Sequence, residues 1–245
     1  MNAGMDSDRV HILGSRDNCH ARSAGVLGML SMLALLAALS GCGESDFGDE
    51  SNKINGSIHV PAGKPPGAVA TVNGAIQVDD NATITSAKTV NGSVHLGDHA
   101  TATSLASVNG SITLGAGSHV SGRAASVNGE LTLGDGAEIL GSLANVNGKI
   151  TVTGAHVGGG IKTVNGSMNI TGASHVEGGI LVEKPSGNLM QVVRDFPRIV
   201  IGPGTTVQGE LRFEREVRLF VSDKATIGTV VGATPIPFTG ETPPT

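Results

Sequence analysis

The chain of 245 residues contains no tryptophan and no tyrosine, and it has only five phenylalanines. None of the five lies between residues 54 and 182. The interior of this stretch must therefore be filled by Val, Ile, Leu and Ala, which reach normal packing density only where backbones approach closely. This excludes a broad aromatic core and favours a thin, layered one.

Basic surface is also scarce, since the formal net charge is −5 at pH 7. The repeats described below carry no basic patch and no aromatic rings on which bases could stack, so nucleic-acid binding is excluded as a function. No basic or glycine-rich loop forms a cofactor site. We therefore expect no cofactor and no enzymatic activity.

The two cysteines, Cys19 and Cys42, lie on either side of an apolar run at residues 24–39. Arg16 and Arg22 precede the run, which is too short for a stable bilayer span and is typical of a signal peptide. Cys19 would leave with the signal, so no disulfide is expected. Residues 1–41 are therefore predicted to be a signal peptide. An uncleaved membrane anchor is the alternative interpretation.

Residues 39–42 read LSGC and resemble the lipobox of bacterial lipoproteins. The resemblance implies lipidation of the Cys42 thiol, cleavage after Gly41 and acylation, typically with palmitate, of the new amino terminus. Two or more acyl chains give stable membrane anchoring. Gly43 implies the outer membrane, by resemblance to the lipoprotein sorting rule of Gram-negative hosts. Residues 42–53 are acidic and are predicted to be a flexible tether.

From residue 54 an Asn-Gly pair recurs every 18 or 19 residues. Between these pairs apolar and polar residues alternate with period two, which predicts short strands. Aliphatic residues recur about every six positions and are predicted to line the core; one such series is Val90, Leu96, Ala102, Val108, Leu114 and Val120. Each unit is therefore one coil of three strands and three corners. The repeated corner residues are Asn55, Asn73, Asn91, Asn109, Asn128, Asn147 and Asn165.

Such units bury a core only when stacked, so residues 54–231 are predicted to form an all-β, single-stranded parallel β-helix of eight to ten coils, right-handed. Asn and Gly adopt left-handed backbone conformations readily and are predicted to make a tight corner. The Asn amides should then form a ladder between coils. Antiparallel hairpins are the alternative for Asn-Gly, but each interval holds three strands where a hairpin needs two.

The repeat breaks at residues 183–198, which are predicted to be an irregular insertion. Four of the five phenylalanines lie in or after this break and are expected to close the end of the core. Residues 232–245 form a proline-rich tail that we expect to be extended and to fold over the terminal edge. A proline-rich half-coil at residues 54–66 is expected to cap the other end. With both caps, the protein freed of lipid should be monomeric or weakly associated.

Residues 131–143 and 199–213 resemble the bactofilins, bacterial polymer-forming proteins with glycine-cornered repeats. The resemblance implies a right-handed β-helix that stacks end to end without nucleotide, hence a structural role. The lipobox departs from that family, and the repeated Val-Asn-Gly looks more like adhesin-like β-solenoids of bacterial envelopes. The alternative function is therefore a surface module that binds glycan or protein. Hexapeptide-repeat acyltransferases are a third possibility. It is remote, because the units after Asn109 and Asn128 are one residue longer than the 18 residues of three strict hexapeptides.

Two rows of polar residues are predicted to face outward. His59 and His95 belong to a row shared with Gln77, Thr113, Thr132, Thr151 and Asn169. A second row, in which each residue directly precedes an aliphatic one, consists of His119, Glu138, His156 and His175. Coils about 4.8 Å apart would bring these groups close enough to share a divalent metal. The favoured interpretation is an exposed polar stripe, so no metal is assigned and the row stays a candidate.

Overall fold

A computed structural model describes residues 51–185 and 196–244. The regular elements of these residues are all β-strands, arranged in three parallel sheets of ten, ten and seven strands. Each strand pairs with its equivalent one coil further along the chain, as Leu131 does with Ile150. The predicted all-β parallel solenoid is confirmed, while right-handedness stays a prediction. Cys42, residues 1–50 and residues 186–195 of the insertion lie outside the described residues.

The strands are numbered in chain order. The first sheet contains β1 Ser51–Asn55, β3 Ala68–Asn73, β5 Ser86–Asn91, β8 Ser104–Ser107, β11 Ala124–Asn128, β14 Leu143–Asn147, β17 Ile161–Thr163, β20 Ile180–Val182, β23 Leu211–Phe213 and β26 Val230–Val231. The second contains β2 Ile58–Val60, β4 Ile76–Val78, β6 Val94–Leu96, β9 Ile112–Leu114, β12 Leu131–Leu133, β15 Ile150–Thr153, β18 Met168–Thr171, β21 Arg198–Ile201, β24 Arg218–Ser222 and β27 Pro235–Phe238. The third contains β7 Thr101–Ala102, β10 His119–Val120, β13 Glu138–Ile139, β16 His156–Val157, β19 His175–Val176, β22 Thr206–Val207 and β25 Thr226–Ile227.

One aliphatic column runs through the coils and is lined by all three sheets. In the second sheet, Ile112 and Leu114 are fully buried while Thr113 between them is partly exposed. Val120 of the third sheet and Leu105 of the first complete that layer. Burying a side chain of this size stabilises the fold by about 1.5–3 kcal/mol. The column is therefore the main source of stability.

The valine of Val-Asn-Gly does not line this column, so that part of the core prediction is wrong. In β5 the inward residues are Ala87 and Thr89, and Val90 lies on the outward side. Val108 is buried but lies outside the core cluster. In this sheet the aliphatic residue that points into the core lies two positions before the inward-pointing Ser or Thr, as Leu105 lies before Ser107.

The glycine of the Asn-Gly corner is required mainly for close stacking, and of these corner glycines only Gly56 and Gly148 also have a positive φ. A Cβ on Gly92 would lie 1.9 Å from the carbonyl oxygen of Gly74, and one on Gly129 would lie 2.1 Å from that of Gly110. The Asn of these corners has no positive φ. Positive φ recurs instead at the corner between the second and third sheets, where Asn81, His99, Gly117 and Gly136 are left-handed.

The solenoid is less regular at both ends. The third sheet begins only at β7, preceded by a single bridge between Thr83 and Thr101, because residues 61–67 carry prolines in place of a third strand. At the other end, the tail contributes β27, the last strand of the second sheet. Phe238 packs with Val200 and Phe220 in a small cluster separate from the main core.

The tail beyond β27 lies against the outer face of the second sheet. Arg198 donates hydrogen bonds to the carbonyl oxygens of Pro243 and Pro244 at 3.4 and 3.0 Å, and its guanidinium stacks over the Phe220 ring. Phe213 joins the main core, whereas Phe196 is exposed. The larger side chains therefore divide between the core and an outer patch.

Candidate functional site

The corner asparagines form a continuous amide ladder, which we call the Asn row. Each Nδ2 donates to the Oδ1 of the Asn one coil earlier, over distances of 2.8–3.0 Å from Asn73 to Asn165. Arg215 donates to the Oδ1 of Asn165, the last member of the row. Because each Asn side chain supplies both a donor and an acceptor, the amides hydrogen-bond to one another. We therefore interpret the Asn row as structural and not as a ligand site.

Behind the Asn row lies a buried polar row that the sequence analysis did not identify. Its side chains donate to the carbonyl oxygen of the corner glycine in the preceding coil, at 2.8–3.1 Å. The sequence does contain a signal for this buried row, since a Thr, a Ser or an Asn stands two residues before every corner Asn from Asn73 onward. This inner polar row consists of Thr71, Thr89, Ser107, Ser126 and Asn145.

The second predicted row, which we call the histidine row, is stacked in register. His119 pairs with Glu138, Glu138 with His156, and His156 with His175. Val120, Ile139, Val157 and Val176, which follow them, point into the core and are fully buried. The strands therefore hold the four polar side chains outward on one face of the third sheet.

The histidine row is hydrogen-bonded across coils. The Oε2 of Glu138 lies 2.8 Å from Nδ1 of His119, and its Oε1 lies 3.1 Å from Nδ1 of His156. The hydrogen bond with His156, followed by that with His119, lowers the pKa of the Glu138 carboxyl below its ordinary value. Glu138 is therefore an ionised carboxylate that bridges two imidazoles.

Two residues outside the predicted row join it. Glu177 lies two positions after His175, and its Oε1 is 3.1 Å from Nε2 of His156. Gln208 lies one coil further along, and its Nε2 is 3.1 Å from Nε2 of His175. His156, His175 and Glu177 each offer a ligand atom, and these three atoms lie within 4.8 Å of one another. The rings of His156 and His175 are tilted, with centroids 5.6 Å apart.

The other histidines named from the sequence do not assemble in this way. His59 and His95 face outward on the second sheet, in the predicted row with Gln77 and Thr113. His59 contacts Asp79 at 2.7 Å. A shallow pocket of about 190 Å³ lies beside His59 and is lined by Ile58, Val69 and Lys64. It marks the place where the first coil lacks its third strand.

Among the described residues, no helix has the length and apolarity that a bilayer crossing needs. No protein-family model, no curated protein and no solved structure matches the chain, so its function has to be inferred from the chemistry and geometry of these rows.

Proposed function

We propose that this chain is a non-enzymatic lipoprotein of the bacterial envelope, held in the outer membrane through Cys42, whose solenoid has a structural or scaffolding role. One observation carries the proposal: an aliphatic column fills the coils and the repeated polar rows hydrogen-bond within the solenoid. Ten strands spaced by about 4.8 Å make a stiff element about 43 Å long. Such an element is suited to spanning a distance or to bearing contacts at its ends.

The carboxy-terminal end of the rod supports a scaffolding role. Ile227 and Val230 occupy inward positions in the last coil but are only partly buried, because no strand of the described residues stacks beyond β25 and β26. Val231 beside them is exposed. An unpaired strand edge with apolar neighbours promotes association with another strand.

The last strand of the second sheet limits that association. Pro235 and Pro237 lie in β27, and proline has no N–H to donate to a further strand. Phe238 fixes this strand by packing on Val200 and Phe220. We therefore propose that β27 acts as a partial cap, and that the protein freed of its acyl chains is monomeric or weakly associated.

The anchor is tested with Cys42→Ser in the producing cell. We expect loss of palmitate labelling and accumulation of the uncleaved precursor, because the thiol that receives the lipid is gone. Cys19→Ser is the matched control and should be labelled like the wild type. Labelling that persists in Cys42→Ser contradicts the anchor.

The cap is tested by light scattering on the delipidated protein, with and without residues 232–245. Truncation should raise the apparent mass, because it removes β27 and uncovers Phe220 and the strand edge. A shorter truncation of residues 241–245 keeps β27 and should leave the mass unchanged. Long filaments from the intact protein would favour a bactofilin-like polymer, and two unchanged monomers would contradict end-to-end scaffolding.

A surface-binding module is the second candidate, and the outward row of the second sheet supports it. Thr113, Thr132 and Thr151 stack in register and present a regular polar face. Such a face can offer spaced hydroxyls to a glycan or to a protein. Glycan-array binding that is lost in Thr113→Ala/Thr132→Ala, but kept in the matched variant Thr83→Ala/Thr103→Ala, would favour this function.

A further inference from the structure

The carboxylate-bridged imidazoles of the third sheet have an arrangement that neutral side chains alone do not satisfy. Both ring nitrogens of His156 face a carboxylate oxygen at 3.1 Å, Nδ1 that of Glu138 and Nε2 that of Glu177. A neutral imidazole carries one N–H, so one of the two nitrogens then presents its lone pair to an anion. Either a second proton or a bound cation must lie between them.

We propose that His156, His175 and Glu177 form a surface binding site for Zn²⁺. Two imidazoles and one carboxylate are a ligand set that zinc takes with an open fourth position, which water can fill. The three ligand atoms already lie within 4.8 Å of one another. Tetrahedral zinc needs them about 3.3 Å apart, given bonds of about 2.0–2.2 Å. Oε1 of Glu177 already lies 3.1 Å from Nε2 of His156, so the remaining closure brings His175 towards this pair.

The coil geometry holds the three ligands in place. His156 and His175 are register partners in neighbouring strands, so their Cα atoms are separated by about one coil spacing. Val157 and Val176 anchor the strands because both are fully buried in the core. The register that pairs Val157 with Val176 places Glu177 beside Gly158, which has no side chain to block the approach of Glu177 to His156.

Groups outside the ligand set orient both imidazoles. In the tautomer in which Nδ1 of His156 donates to Glu138, the Nε2 lone pair is left for a metal, and metal-binding histidines commonly have such a carboxylate partner. His119 holds the other oxygen of that carboxylate at 2.8 Å. The amide nitrogen of Gln208 lies 3.1 Å from Nε2 of His175 and can only donate there. When the amide is turned over, its carbonyl oxygen accepts from Nε2–H of His175 and leaves the Nδ1 lone pair for a metal. We assign Glu138 and Gln208 as positioning residues.

The chemistry of the ligands selects the class of metal. Imidazole nitrogen suits zinc, copper and nickel, whereas Mg²⁺ and Ca²⁺ prefer sites made of oxygen ligands. A site with two imidazoles and one carboxylate should therefore discriminate against Mg²⁺ and Ca²⁺. The site does not depend on the lipid anchor or on the coil ends, so it can fail while the proposed function holds, and the reverse.

The test is zinc titration of the full chain in detergent, against a chromophoric chelator, after removal of metals with EDTA. We expect one equivalent of Zn²⁺ bound at this site, and Co²⁺ bound there should show the intense visible bands of a four-coordinate complex. His156→Ala/His175→Ala should weaken binding by more than about tenfold. The matched control His59→Ala/His95→Ala also removes two outward imidazoles and should bind as the wild type does. Both variants keep the same cysteines, so thiol binding cancels in the comparison.

Glu138→Gln tests the contribution of the Glu138 carboxylate, because it removes the anionic acceptor and keeps the shape of the side chain. It should weaken zinc binding by about 10–100-fold while the circular dichroism spectrum stays that of the folded protein. Zinc affinity unchanged in His156→Ala/His175→Ala, or equal competition by Mg²⁺, would overturn the proposal. Equal losses in both histidine pairs would overturn it as well, because they would indicate nonspecific imidazole binding.

Discussion

The Asn row and the histidine row are stacked by the same coil geometry, but they hydrogen-bond in different ways. Along the Asn row one side chain repeats, and each amide from Asn73 to Asn147 donates to the preceding coil and accepts from the next. Along the histidine row the side chain changes from coil to coil, and Glu138 accepts on both sides. The hydrogen bonds of the Asn row join its own amides to one another, whereas the histidine row presents ring nitrogens to anionic oxygens.

The comparison shows how to separate structural rows from candidate sites in a solenoid. A row of identical amides gains its hydrogen bonds from repetition and stabilises every coil equally. A row that mixes imidazole and carboxylate cannot repeat the same hydrogen bond in every coil. The stabilisation that it gives therefore differs from coil to coil, and so does the charge of its side chains. The predictions below test whether stability belongs to the first row and metal binding to the second, beginning with the largest expected effect.

The largest effect is expected from Gly129→Ala, at the corner that carries the Asn row. The new Cβ would lie 2.1 Å from the carbonyl oxygen of Gly110, so neighbouring coils must move apart, at a cost of about 3 kcal/mol or more. Urea denaturation measures the loss. Gly63→Ala meets nothing within 4 Å and costs only the strain of its positive φ, about 1–2 kcal/mol. Equal losses in the two variants would show that close stacking at the corner does not determine the stability of the solenoid.

Asn128→Ala tests the ladder itself. It removes the donor to Asn109 and the acceptor for Asn147, so we expect the free energy of unfolding to fall by about 1–2 kcal/mol. Zinc affinity should be unchanged, because the histidine row lies on another sheet. Asn52→Ala, exposed in β1 and outside the ladder, is the control and should be nearly silent. If Asn52→Ala costs as much, the Asn row is not a structural corner.

Asn145→Thr should stabilise the protein. The Oδ1 of Asn145 is buried without a hydrogen-bond partner, while its Nδ2 donates to the carbonyl oxygen of Gly129. A threonine hydroxyl keeps that donation, as Thr71 and Thr89 do in their coils, and removes the unpaired oxygen. We expect a gain of about 1 kcal/mol in urea denaturation. Asn145→Ala loses the donor as well, and equal stability of the two variants would contradict this reason.

The smallest effect on stability is expected from Glu138→Gln in metal-free protein. The Glu138 side chain is 39% exposed, and contacts of this kind contribute little, so the loss should be below about 0.5 kcal/mol. The same change should weaken zinc binding, which is the reverse of the result expected for Asn128→Ala. A large loss of stability in Glu138→Gln would mean that the histidine row is structural, as the Asn row is.

Much of the fold was accessible from the repeat. The spacing of Asn-Gly set the coil length, and the period-two pattern located β9 and β12 with their inward Ile112, Leu114, Leu131 and Leu133. The stacking of His119 on Glu138 followed from the same spacing. Glu177 and Gln208 were not predicted, because they reach the histidine row through their side chains from positions outside it.

The sequence by itself determined how many residues make a coil and which residues stack, because a near-constant repeat places equivalent positions one above another. It did not determine which residue of Thr-Val-Asn-Gly faces inward, since Thr and Val are almost equal in size and both suit a strand. Only the tertiary structure decided that the hydroxyl is buried, because its acceptor is a glycine carbonyl of the preceding coil and exists only after stacking. The same holds for the corner glycine, whose missing Cβ matters only once the next backbone lies against it.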